Sequence, residues 1–84
     1  MEDNNIIRDE IITLFKSLSQ MISNDDGIKV SVFIKKKRNY FHLNDKNNEQ
    51  KVAYELEKME TEGLIVFNNN FIKFTQKGKK EFFG

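Results

Sequence analysis

The apolar positions in the first quarter of the chain repeat with the period of a helix. Six of them recur at i, i+4, i+7, i+8, i+11 and i+15 and form one wide face: Ile7, Ile11, Leu14, Phe15, Leu18 and Ile22. This spacing predicts a helix from about Asn5 to Ile22, with Asn4 or Asn5 as its N-cap. The polar run at 23–27, SNDDG, is typical of a loop and ends the helix.

The segment after this loop fits two patterns. Apolar residues at 28, 30, 32 and 34 alternate with their neighbours, as in a half-buried strand. Val30, Phe33 and Ile34 also have helical spacing, so one long strand and a short strand followed by a helix both stay open. Residues 39–48, NYFHLNDKNN, are polar and rich in turn-forming residues, which predicts a connection. We expect its three apolar residues to hold it against the core: Tyr40, Phe41 and Leu43.

A second helical face begins near residue 50. Val52, Leu56 and Met59 fall at i, i+4 and i+7, which predicts a helix from about Asn48 to Glu62. Gly63 stands where this helix must stop, because glycine takes the left-handed cap conformation without a Cβ penalty.

The period changes directly after this glycine. Ile65–Phe67 and Phe71–Thr75 are β-prone runs on either side of Asn68–Asn70, which predicts a hairpin. We expect Lys79–Phe83 to add one helical turn that docks two aromatic rings on an apolar surface: Phe82 and Phe83.

Two segments resemble the winged-helix family of DNA-binding domains. Residues 52–65, VAYELEKMETEGLI, are similar to the pattern V…L..ME..GLI, in which the recognition helix enters the first wing strand. Residues 71–78, FIKFTQKG, are similar to the second wing strand and its exit. The family resembled is that of small prokaryotic, archaeal or viral-type winged helix-turn-helix regulators.

The resemblance implies an α+β fold in which residues 1–84 form a single domain. It would contain three helices and a C-terminal β-hairpin wing, in the order helix, strand, helix, helix, strand, strand. On this plan Ile28–Val30 is a short strand, and about Ser31 to Arg38 is the second helix with Ser31 as its cap.

The resemblance also implies which residues contact DNA. The start of the third helix would enter the major groove, where Asn and Gln can pair with adenine and Lys with guanine or phosphate. The residues expected on this surface are Asn47, Asn48, Gln50, Lys51 and Tyr54, with Lys58 farther along. Other basic residues would contact phosphates without reading sequence: Lys35, Lys36, Lys37, Arg38, Lys73 and Lys77, followed by Lys79 and Lys80.

The distribution of charge supports two basic segments in a chain whose formal net charge is only +1. Residues 28–48 carry six basic side chains and one acidic one, and residues 64–84 carry four and one. Residues 49–63 carry five acids and two lysines, and we expect these acids to pair with Lys51 and Lys58 at i, i+4 spacing. A fold that joins the two basic segments would create one positive face.

The composition gives enzymatic chemistry little support. The absence of cysteine excludes a disulfide framework and a thiolate metal site, and one histidine, His42, excludes a histidine cluster. No glycine-rich phosphate loop or plausible catalytic triad occurs. We therefore predict no enzyme, no cofactor and no metal, and give His42 no role.

The expected function is sequence-specific binding of double-stranded DNA, most simply in transcription regulation. A replication, plasmid or viral DNA-binding factor and a protein-interaction module without DNA binding are the alternatives. One short chain reads few base pairs, so we expect a homodimer.

The sequence contains neither a signal-peptide pattern nor a run of about 18 apolar residues, which predicts a cytoplasmic, or in a eukaryote nuclear, protein without a membrane partner. Five apolar residues are left for the core or a subunit interface: Ile6, Ile12, Met21, Phe82 and Phe83.

Overall fold

The first helix, α1 (Glu2–Met21), carries the predicted apolar face. The structure is a computed structural model that describes residues 2–21 and 27–84. The first five residues of the predicted face are buried in the core, whereas Ile22 and residues 23–26 lie outside the described residues. The helix begins at Glu2, so the predicted N-cap at Asn4 or Asn5 is wrong.

The segment that fitted two patterns forms a short strand and a helix. Strand β1 (Ile28–Lys29) leads directly into α2 (Val30–Lys36), so the N-cap residue is Lys29 and the predicted cap at Ser31 is wrong. The N–H of Val30 donates to the carbonyl oxygen of Asn70 at 2.8 Å, which closes the strand pairing where the helix begins. A 3-10 turn over 37–39 follows α2.

The predicted connection at 39–48 contains a four-residue helix, α3 (Phe41–Asn44), and a 3-10 turn over 46–48. Leu43 is fully buried and Tyr40 is packed against the core, as expected. Phe41 is 81% exposed, so its predicted core position is wrong. Residues two positions apart on a helix point about 200° apart, so Phe41 turns outward when Leu43 turns inward.

The helix that precedes the hairpin is α4 (Glu49–Thr61), close to its predicted bounds. Gly63 has φ +80°, which confirms the expected left-handed stop. The N–H of Gly63 donates to the carbonyl of Glu60, and the N–H of Leu64 donates to that of Met59. These two bonds form a Schellman motif, which satisfies the last carbonyls of the helix and sends the chain into the hairpin.

The hairpin consists of β2 (Ile65–Asn68) and β3 (Phe71–Phe74). Asn69 and Asn70 form the two-residue turn with φ of 50° and 68°, values that asparagine tolerates and that match the twist of a hairpin. Strand β3 is central in a three-stranded antiparallel sheet of order β1-β3-β2, with Ile28 opposite Ile72. The hairpin is therefore joined to the helices through β1.

The last helix, α5 (Gln76–Phe83), is longer than the single turn predicted. Thr75 is its N-cap, and its hydroxyl accepts from the N–H of Gly78 at 2.9 Å. Phe82 is buried beside Phe15, whereas Phe83 is partly exposed. Ile12 also packs against the core, Ile6 is 36% exposed, and the Met21 side chain is outside the described part of the chain.

The predicted α+β class is confirmed. Over residues 2–21 and 27–84 the chain forms five α-helices, two more than the resemblance implies, because α3 interrupts the connection and α5 follows the hairpin. None of the helices in these ranges is both long and apolar enough to cross a membrane.

Candidate functional site

The outward side of α4 carries four of the predicted contact residues. Val52 and Met59 face the core, and successive residues turn by about 100°. Gln50 and Tyr54 therefore point to solvent, and Tyr54 is 60% exposed. The two lysines of the helix are exposed at one edge of this face: Lys51 and Lys58.

Two acids, Glu55 in α4 and Glu62 directly after the helix, are paired with a residue of α1. Arg8 of α1 places Nη1 2.7 Å from Oε2 of Glu55 and Nη2 2.8 Å from Oε1 of Glu62. Glu55 is only 3% exposed, so its carboxylate is buried although it is charged. Arg8, which the resemblance left without a role, is the partner that makes this burial possible. One feature of the sequence indicates that Arg8 could reach a buried partner, because Arg8 directly follows Ile7 of the predicted buried face.

The Arg8 cluster is held by charge as well as by hydrogen bonds. Burial by itself would lower the pKa of Arg8, but the hydrogen bonds to Glu62 and Glu55 outweigh it and the pKa is raised above its usual value. The hydrogen bond from Arg8 is also the main reason that the pKa of Glu62 lies below its ordinary value. The guanidinium and the Glu62 carboxylate therefore both favour their charged forms.

The start of α4 separates the two predicted asparagines. Asn47 has an exposed side chain, and its backbone N–H donates to Oδ1 of Asp45 at 2.9 Å. Asn48 is half-buried, and its Nδ2 donates to the carbonyl oxygen of His42 at 2.9 Å. The Asn48 amide thus ties the start of α4 to α3, while Asn47 remains available at the surface.

Helix α3 is in turn attached to α1 through a carboxylate. Oε1 of Glu10 accepts from the backbone N–H groups of His42 and Leu43 at 3.1 and 3.2 Å, and Oε2 lies 2.5 Å from the His42 Nδ1. Glu10 therefore caps α3 from another helix. Neither Glu10 nor His42 was given a role from the sequence, because the two residues lie 32 positions apart.

The basic run at 35–38 does not form one patch. Lys36 lines a cavity of about 280 Å³ with Ser17 and Leu18 of α1. Lys37 faces the opposite side, toward α4, and its Nζ donates to the Leu43 carbonyl at 3.4 Å. The remaining two residues are exposed: Lys35 and Arg38.

The two lysines predicted on or after the wing lie in different places. Lys73 is half-buried on β3, directly opposite Val66 of β2. The Nζ of Lys77 donates to the carbonyl of Glu62 at 3.0 Å, at the C-terminal end of α4. A helix rises 1.5 Å per residue, so Lys77 is about 18 Å from the level of Gln50. Lys79 and Lys80 are exposed on α5.

An apolar groove of about 350 Å³ lies between α2, α4 and the hairpin. Ile34 and Phe67 are 48% and 39% exposed at its sides, and Lys37 and Glu49 supply its charges. The other lining residues are Val30, Phe33, Val52, Ala53, Leu56 and Ile72. This groove was not predicted, because it depends on how α2 sits against the hairpin.

The described residues contain no cluster of three or more histidine or acidic side chains suited to a metal ion. Comparison of the chain with protein-family models, with curated proteins and with solved structures finds no match.

Proposed function

We propose that this protein binds double-stranded DNA sequence-specifically as a winged-helix regulator, with α4 in the major groove and the β2–β3 hairpin against the backbone. One observation carries the proposal. Helix α4 exposes amide, phenol and ammonium groups, while Arg8 of α1 holds two acids, Glu55 in α4 and Glu62 directly after it. This pairing takes two acids out of the charge that meets a phosphate backbone, whereas Glu49, Glu57 and Glu60 stay exposed, so the neighbouring basic residues must supply the attraction.

The element order supports the same proposal. Helix α4 passes through Gly63 directly into a hairpin whose central strand pairs with β1, the strand that precedes α2. In this arrangement α3 is an insertion before the recognition helix and α5 is an addition after the wing. The hairpin turn at Asn69 and Asn70 is exposed, as contact with a DNA backbone requires.

The proposed contacts differ in what they contribute. Gln50 and Asn47 can pair with base edges, and Lys51 and Lys58 can reach guanine or phosphate. Tyr54 adds an exposed phenol to the same face. Lys35, Arg38 and Lys73 would contact phosphates, which position a protein without reading sequence. We further propose a homodimer, since two copies would read twice as many base pairs.

The test is duplex binding at two salt concentrations, measured by fluorescence anisotropy with AT-rich and GC-rich duplexes. Affinity should fall steeply with salt because phosphate contacts release counterions. Lys51→Ala should weaken binding by about tenfold, on the scale of one lost base or phosphate contact. Lys16→Ala removes the same charge from an exposed site on α1 and should change affinity by less than about twofold. No binding to either duplex at low salt would refute the proposal.

The apolar groove favours a second candidate, a protein-interaction module that does not bind DNA. Ile34 and Phe67 expose apolar surface beside α4, and Phe41 is almost fully exposed nearby in the sequence. Such surface is typical of protein interfaces. A partner that is retained after nuclease treatment and lost with Ile34→Asp, together with absent duplex binding, would support this candidate instead.

A further inference from the structure

We propose that Glu10 is a positioning residue for the DNA-reading end of α4 and that Asn48 acts with it, so that Asn48 orients the helix and does not read bases. This inference rests on the proposed function. Glu10 lies in the middle of α1, the helix that contributes more buried residues to the core than any other element, and its carboxylate is hydrogen-bonded to α3. Its influence passes through α3.

The path has two steps, and each joins a side chain to the backbone of α3. The Glu10 carboxylate receives the first N–H groups of α3, from His42 and Leu43, at 3.1 and 3.2 Å. These groups have no partner inside so short a helix, and the carboxylate satisfies them. The carbonyl of the same His42 then accepts from Nδ2 of Asn48 at 2.9 Å, at the residue directly before α4.

The start of α4 is restrained by hydrogen bonds through α3, and the rest of the helix is held by other contacts. Leu43 is fully buried, so α3 cannot slide along α1 without opening the core. His42 is bonded on both sides, since its N–H and Nδ1 meet Glu10 while its carbonyl meets Asn48. Loss of either bond would leave α4 formed but would free its first turn. Base reading is sensitive to such freedom because side chains must match donor and acceptor positions in the groove.

The first arm of the test uses the free protein. Amide chemical shifts of residues 45–54 and 59–63 would be compared among wild type, Glu10→Ala and Asn48→Ala by ¹H–¹⁵N NMR. We expect the largest changes at 45–54 in both variants and little change at 59–63, where Arg8 and the Schellman motif hold the helix. Thr13→Ala is the matched control on α1, because Thr13 is exposed and bonds only within its own helix.

The second arm measures DNA discrimination. A preferred duplex is selected from a random pool with the wild type and compared with a scrambled duplex. Glu10→Ala and Asn48→Ala should each lower the ratio of the two affinities by about tenfold, the equivalent of one lost cap. Binding to the scrambled duplex should change by less than about twofold, since no phosphate contact is lost. Glu10→Gln keeps an oxygen that can accept from both backbone N–H groups and should recover most of the ratio.

A double variant, Glu10→Ala with Asn48→Ala, tests whether the two residues act along one path. Because both act through His42, the double variant should lose little more than either single variant, whereas independent contacts would add. Shift changes at 45–54 no larger than those of Thr13→Ala, an unchanged affinity ratio, or additive losses would each overturn the inference. If the wild type binds no duplex, the proposed function fails, and the shifts of the free protein still decide whether Glu10 positions α4.

Discussion

The two ends of α4 are held by different kinds of contact, although both lead back to α1. Toward the C-terminal end Arg8 reaches Glu55, in the middle of the helix, and Glu62, directly after it, and Gly63 joins the helix to the hairpin. At the N-terminal end Glu10 acts through the backbone of α3. Arg8 and Glu10 are two positions apart and so point about 200° apart around α1. The C-terminal end is thus held by ion pairs and by its direct connection to the hairpin. The N-terminal end is held through α3, which lies between it and Glu10.

The C-terminal contacts should therefore contribute mainly to the folding stability of the domain, and the N-terminal contacts mainly to the exact position of the first turn of α4. A buried carboxylate such as Glu55 needs its partner, so damage at the C-terminal end should cost folding free energy. The N-terminal end is anchored by the burial of Leu43 and by hydrogen bonds among exposed or half-buried groups, which can loosen locally without unfolding the domain. The end that is proposed to read DNA is therefore the end that local changes can loosen.

The largest effect is expected for Leu43→Ala, which tests whether α3 anchors the N-terminal end. Leu43 is 0% exposed, and truncation of a buried leucine costs about 3 kcal/mol. Phe41→Ala in the same four-residue helix should cost less than about 0.5 kcal/mol, because Phe41 is exposed to solvent. Urea unfolding monitored by circular dichroism measures both. Equal losses for the two variants would show that α3 is not held through Leu43.

At the C-terminal end, Arg8→Ala should lower the free energy of unfolding by about 2 kcal/mol. The full cost of breaking a buried pair is larger, but Arg8 is 25% exposed and water can partly replace it. Arg8→Ala combined with Glu55→Leu removes the unpaired buried carboxylate and should recover part of the loss. The same urea titration decides the question. A double variant less stable than Arg8→Ala would mean that Glu55 contributes through contacts other than this pair.

Gly63→Ala tests the chain continuity of this end and should cost about 1 kcal/mol, the penalty of a Cβ in the left-handed conformation. A Cβ at Gly63 would meet no other heavy atom within 4 Å, so the cost is conformational and not steric. Gly63→Asn is the matched control, because asparagine adopts positive φ more readily. Its loss in a thermal unfolding experiment should be the smaller of the two. If both variants unfold like wild type, the left-handed stop does not limit stability.

The parts of the molecule that local pattern controls were predictable. The period of 3.6 identified α1 and α4, and Gly63 and the asparagine turn identified the stop and the hairpin. Partners distant in sequence were not predictable, because periodicity shows which face of a helix is buried but not what lies opposite. Arg8 and Glu55 are 47 positions apart, and Glu10 and His42 are 32 apart.

The same distinction between local pattern and distant partners applies to the residues of the candidate site. Exposure of Gln50 and Tyr54 followed from the helical period once Val52 and Met59 were assigned to the core. The bonds of Asn48 to His42 and of Lys77 to Glu62 could not be predicted, since each depends on a backbone carbonyl positioned by tertiary structure. Lys36 and Lys37, neighbours in one basic run, separated for a geometric reason, as adjacent helical residues point about 100° apart.

The smallest expected effect is the acid sensitivity of the C-terminal end. Because Arg8 lowers the pKa of Glu62 in the folded protein, the charged carboxylate stabilises the fold at any pH above the ordinary pKa of a glutamate. That contribution disappears as the pH falls through the lower, folded pKa. Arg8 remains charged throughout, because its own pKa is raised.

Glu62→Gln isolates this term from the other carboxylates. Glu62 is 37% exposed, so screening should limit its contribution to a few tenths of a kcal/mol. Urea unfolding at pH 7 and pH 3 should show a stability difference between wild type and Glu62→Gln that shrinks in acid. A difference that grew in acid would mean that Glu62 stabilises the fold in its protonated form, against the direction set by Arg8. A constant difference would assign the role of Glu62 to packing, and would leave Glu55 as the acid through which charge holds this end of α4.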